Sequence, residues 1–211
     1  MATVTADIAD LVSNVKHDEA KVWIDGVKGF TPAEYADSVH GSEARICEYL
    51  GESLTYADLI CYSGFAFRVG VHDAMCPSAG HPCCGYQCLD NGFRAMPWKM
   101  KLHESFPWSD AREDRAAFEK EVCGAVKASI DCGVPVHYGG EEDGLIIGCG
   151  DEGRRWWCVH PYHSGGGTEP FWHDEATGFA GGGNGRGRSW CGRGRRQRRI
   201  ARTGASCWLR R

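Results

Sequence analysis

A chain of 211 residues, 42% hydrophobic and 25% charged, has room for one domain with a sizeable core. It holds no apolar run of the roughly 18 residues that a membrane span needs. Its net charge of −4 joins two unlike parts: through Gly178 there are 14 Lys and Arg against 28 Asp and Glu, and 179–211 carries 10 Arg with no Lys and no acid. An acidic body repels nucleic acid and anionic membrane, so neither is an expected partner; the tail would attract such polyanions only non-specifically. The first residues, MATVTADIADLVSNVKHDEA, bring acids early and lack the apolar run of a signal peptide, so the expected compartment is the cytoplasm.

In chain order, the first twenty residues are polar and support at most a loose helix. Residues 22–27 (VWIDGV) alternate apolar and polar, as a short strand does. Residues 38–52 (SVHGSEARICEYLGE) predict a helix with Ser42 as N-cap, an apolar face of Ala44, Ile46, Cys47 and Leu50, and Gly51 as its stop. Thr55 caps a second helix through YADLICY. From 64 to 92 the chain is rich in Gly, Pro, Cys and aromatics without periodicity, which predicts a structured loop. Residues 108–133 predict the longest helix: Ser109 or Asp110 caps it, acids crowd its first turn, Gly133 ends it, and Phe118, Val122, Ala125, Val126 and Ile130 form its stripe. Three strands follow at 134–138, 144–149 and 154–160, with a hairpin turn at 150–153. Helices first and strands later predict an α+β architecture, divided into an N-terminal segment (1–27), a domain (28–178) and a Gly/Arg-rich tail (179–211).

The stretches "SGFAFRV" (63–69), "CPSAGHPCCGY" (76–86) and "EEDGLIIGCGDEG" (141–153), with a helix ending in "YLGE" and strands "GVPVHYGG" and "WWCVHPY", carry a family resemblance. Over about 28–174 the chain resembles the butirosin biosynthesis protein H N-terminal-like group, a bacterial set related to the papain-like double-glycine leader peptidases. The resemblance implies a papain-like fold with N-terminal helices packed on an antiparallel C-terminal sheet. In the peptidases a Cys opens the first helix eleven residues before the Tyr of Tyr-Leu-Gly; here that place holds Ser38. The His that begins the central strand is replaced by Glu142 or Asp143, and the Asp before Pro by His160. All three positions are substituted. The expectation is therefore a non-catalytic member, a pseudoenzyme and not an active peptidase, that binds a peptide or small acyl ligand in the groove between helix 41–50 and strand 144–149. Against it stands a permuted Ser38, Asp143 and His160 set, in which base and orienting acid exchange places.

Two further readings concern thiols. Cys84-Gly85 matches the Cys-Gly of papain-like enzymes, and with His137 or His160 as base Cys84 would be the nucleophile of a cysteine hydrolase or acyltransferase. Cys76, His81, Cys83 and Cys88, with Cys84 among them, are soft ligands that suit a structural zinc, although the spacing matches no standard zinc knuckle and no other cofactor is expected. In a chain with 12 Cys and no secretion signal, disulfides are not the first expectation; Cys47, Cys61, Cys123, Cys149 and Cys158 are expected as buried filler. The tail, dominated by Gly and Arg and without Lys, has the composition of a GC-rich coding region read in a shifted frame. It is expected to be disordered and to leave the last strand of the sheet missing, with an exposed edge.

Overall fold

The computed structural model describes residues 8–67, 94–96, 98–105, 112–139, 143–163, 167–173 and 203–210. Its centre is the strand β5 (Asp143–Gly150), which is apolar on both faces from Leu145 onward. A strand buried on both sides needs cover on both sides, and the helices supply it. Leu145 and Ile147 pack with Ala44, Ile46 and Cys47 of α2 (Ser38–Tyr49) and its C-cap Leu50, with Leu59 of α3 (Tyr56–Tyr62) and with Leu11 of α1 (Ile8–Ser13). Ile146 and Cys149 face the other way, onto Val122, Val126 and Ile130 of α4 (Arg112–Asp131). Residues 147 and 149 would share a face in a regular strand; a register shift between Ile146 and Gly148 turns Cys149 to the α4 side.

The sheet is antiparallel at every pairing. One edge of β5 pairs with β6 (Arg155–Val159), which pairs with β7 (Phe171–His173). The other edge is shared: β4 (Val136–Gly139) occupies its first half, and β2 (Val22–Ile24), itself paired with β1 (Val15–His17), takes over at Gly148 and Cys149. Beyond β4 the order continues through β8 (Thr203–Arg210) to β3 (Trp98–Ser105). The α+β class is thus as the sequence predicts, as are α2, α3, α4, β2, β4, β5 and β6. Trp156 and Trp157 point to opposite faces of β6, Trp156 into the α4 core and Trp157 against the α2 core.

Several expectations are corrected. Residues 8–24 do not form a segment apart, because Leu11 is in the core and β2 is hydrogen-bonded to β5. Of the tail 179–211 only 203–210 is among the described residues; its main chain pairs with β4 on one side and β3 on the other, so the edge of β4 beside His137 is covered. Cys61 is exposed, while Cys47, Cys123, Cys149 and Cys158 are buried as expected. Among the described residues no helix is long and apolar enough to cross a membrane.

The caps divide in the same way. Asp37, not Ser42, caps α2: its carboxylate accepts from His40 N–H at 2.8 Å, and Ser42 lies buried inside the helix. Gly51, at φ 71°, adopts the left-handed conformation that ends the helix. Thr55 caps α3 through a reciprocal box, with Asp58 N–H donating to Thr55 Oγ1 (3.2 Å) and Thr55 N–H to Asp58 Oδ2 (2.9 Å). Thr55→Ala leaves the Asp58 N–H to water and removes the hydroxyl's own bond to the Asp58 carboxylate, and we expect a loss of about 1 kcal/mol in denaturant unfolding. An unchanged midpoint would show that the box adds nothing to the fold.

Candidate functional site

Where the N-terminal end of α2 meets the start of β5, the apolar seam between them becomes polar. Three residues converge there. Ser38 is the first residue of α2, and its Oγ accepts the backbone N–H of Asp143 at 3.1 Å. Asp143 opens β5, and its Oδ2 stands 3.2 Å from Nε2 of His137 on β4. His137 and Asp143 reach each other because β4 and β5 pair in register, Gly139 with Asp143 and His137 with Leu145. Alternation along β4 sends Val136 and Tyr138 to the α4 face and His137 to the α2 face. A carboxylate only accepts, so its contact assigns the proton of a neutral His137 to Nε2 and leaves Nδ1 as the basic nitrogen.

A second acid–imidazole pair lies on the same helix end. Asp37 Oδ1 is 2.9 Å from Nδ1 of His40, and the His40 ring rests against Phe65 at 5.2 Å between centroids. Both are buried, as are Ser38 at 2% exposure and His137 at 4%. Glu43, one turn further along α2, is fully buried. Its carboxyl is pushed well above the usual carboxylate range, first by burial and then by the negative charges of Asp37 and Asp143.

The structure brings Ser38, Asp143 and His137 together and separates His160 from the role given it by the permuted set. His160 follows β6, takes the N–H of Tyr162 on Nδ1 (3.2 Å), and packs against Tyr138, whose ring belongs to the α4 side. Gly144 makes that packing possible: a Cβ there would stand 2.9 Å from the Tyr138 ring and 3.0 Å from that of His160. The imidazole paired with Asp143 is thus His137, which the sequence reading had placed with Cys84. Cys84, and the set Cys76, His81, Cys83 and Cys88, lie outside the described residues, as does Glu142. Among the described residues no group of three or more His, Cys, Asp and Glu is arranged to hold a metal ion. The described thiols most deeply buried are poor nucleophiles: burial pushes Cys47 and Cys149 up to about 12 and Cys158 well above its ordinary value.

Between helix 41–50 and strand 144–149, where the groove is expected, Ile46, Cys47, Leu50, Leu145 and Ile147 pack together in one apolar cluster. An open concavity of about 350 Å³ lies beside the C-terminal half of α2, lined by Asn14, Asp25, Lys28, Arg45, Glu48 and Tyr49. Its basic groups are engaged within the chain: Lys28 with Glu48 (2.9 Å), and Arg45 with Glu34, Glu48 and the Gly29 carbonyl. Asp37, His40 and Glu43 belong to no motif in the sequence. The signal was present, since extending the α2 stripe back from Leu50 and Cys47 at helical spacing lands on Glu43 and His40.

Comparison with protein-family models, with curated proteins and with solved structures finds no match.

Proposed function

We propose that this chain is a papain-like domain of the butirosin H-like group that handles an acyl ligand at the N-terminal end of α2, with Ser38 in the place of the family's nucleophilic thiol. The observation that carries the reading is the continuous contact from Ser38 Oγ through the Asp143 amide and carboxylate to His137 Nε2. In this reading Ser38 Oγ attacks the acyl carbonyl carbon while Nδ1 of His137 takes the hydroxyl proton, and Asp143 holds the ring and offsets the imidazolium charge. The leaving group departs with the proton returned by His137, and water or an acceptor hydroxyl or amine then releases the acyl group by the same steps in reverse. The partial positive charge at the start of α2 favours the developing negative charge.

The second reading keeps the ligand and drops the chemistry: a binding domain on a papain-like scaffold, as the substituted triad positions imply. The 2% exposure of Ser38 favours it. A fluorophosphonate probe followed by intact-mass and peptide mapping separates the two. Acyl transfer predicts one adduct, on Ser38, absent in Ser38→Ala and at least tenfold slower in His137→Ala. No adduct on Ser38 at any probe concentration leaves the binding reading. Fast haloacetamide labelling of Cys84 with an unlabelled Ser38 would move the chemistry to the thiol.

A further inference from the structure

Glu43 is the one carboxyl group among the described residues that is fully buried with neither oxygen hydrogen-bonded. Its place is defined by two alternations that meet. On α2, His40, Glu43, Cys47 and Leu50 fall on one stripe; on β5, Asp143, Leu145 and Ile147 share the face that meets it. Glu43 therefore stands where the apolar seam ends and the Ser38–Asp143 contact begins. Among the described residues the charged groups that act on it are acidic: Asp37, the N-cap of its own helix, and Asp143 on β5. Cys47 follows one turn later as a buried thiol, and His40 precedes it bound to Asp37. His137 on β4 is bound to Asp143, and from α3 the nearest acid in sequence, Asp58, is held in its capping box. Arg45, the cation nearest in sequence, is turned to Glu34 and Glu48. A carboxylate with no hydrogen bond and two like charges beside it is not tolerated in an interior; the neutral acid is.

We infer that Glu43 is a proton-holding positioning residue: uncharged, it lets α2 close on β5 and seat Ser38 Oγ on the Asp143 amide, and ionised, it parts them. The inference concerns the assembly of the site and stands whether or not Ser38 reacts with an acyl group. The direction of the Glu43 shift agrees with it. Folding holds this proton more tightly than the unfolded chain does, so the contribution of Glu43 to stability is greatest at and below the ordinary glutamate value. It falls as pH rises from there toward the raised folded value.

The test compares wild type with Glu43→Gln, and with Glu43→Leu as a second uncharged variant, across pH 5 to 10. Three readouts are followed: the thermal midpoint, the exchange protection of the Asp143 amide relative to its intrinsic rate, and the infrared band of a protonated carboxylic acid. The wild type should show that band at neutral pH, and its midpoint and Asp143 protection should fall as pH rises. Either variant should lack the band, and the difference in midpoint between variant and wild type should grow in the variant's favour with pH. Asp143 protection should survive at alkaline pH in Glu43→Gln. Absence of the band from wild type at neutral pH, or parallel pH profiles in wild type and variants, would overturn the inference. If neither variant folds, the wild-type band and its loss together with Asp143 protection at high pH decide alone. Failure of Ser38 to take the fluorophosphonate, with these profiles as expected, would count against acyl transfer and not against Glu43.

Discussion

Under the acyl transfer proposed for Ser38, Asp143→Asn should slow its acylation by a factor on the order of 10³ to 10⁴, the scale seen when an orienting carboxylate becomes an amide in a Ser/His/Asp arrangement. The reason lies in the two separate contacts Asp143 makes. Its backbone N–H, which donates to Ser38 Oγ, is untouched by the substitution. Its carboxylate, 3.2 Å from His137 Nε2, is replaced by a group that can present either an acceptor or a donor. When the amide donates, the lone pair of His137 is drawn to Nε2, and Nδ1 keeps its hydrogen and ceases to be a base. The side-chain volume hardly changes, so the fold should remain and the loss should appear in the rate of probe labelling rather than in the unfolding midpoint. A reduction of less than tenfold would show that Asp143 is a structural acceptor and that the proton leaves Ser38 by another route.

The largest effect on stability should come from Leu145→Ala. Leu145 is fully buried, lies opposite His137 on β4 and Val159 on β6, and packs into the cluster that joins β5 to α2, α3 and α1. Truncation removes its burial and leaves a cavity between rigid walls, and losses of about 2–5 kcal/mol are usual for such a site. The expected result in denaturant unfolding is a midpoint shift of that size with an unchanged slope. A loss below about 1 kcal/mol would mean that α2 relaxes onto the sheet and that the seam is softer than its packing implies. Because Leu145 lies two residues from Asp143 on the same face, the variant should also lower Ser38 labelling.

The elements visible in the sequence are those with strong local signals. Val122, Val126 and Ile130 announce α4 by period, and Thr55 with Asp58 announces α3 by its cap. The strands β1, β3, β7 and β8 carry little such signal; they are set by pairing, which is a property of the partner strand. The N-cap of α2 was misplaced because Ser42 and Asp37 are both competent cap residues, and only the main-chain path into the helix selects between them. The site was half legible. Ser38, and Glu142 or Asp143, are singled out only by counting along a family resemblance, and the choice between the two acids is not made there. That His137 and not His160 meets Asp143 depends on which face of the sheet each occupies, and β4 and β6 are too short for alternation to show it in advance.

The setting of β4 has one more consequence. His137 rides on a strand whose outer neighbour is β8, with His137 opposite Ser206. The ladder between them is made by peptide groups, which are the same for every residue but proline. The berth beside the site is therefore open to almost any extended stretch of chain. Divergence of the C-terminal sequence should be forgiven there by the backbone, so long as eight residues can lie straight and no proline interrupts them.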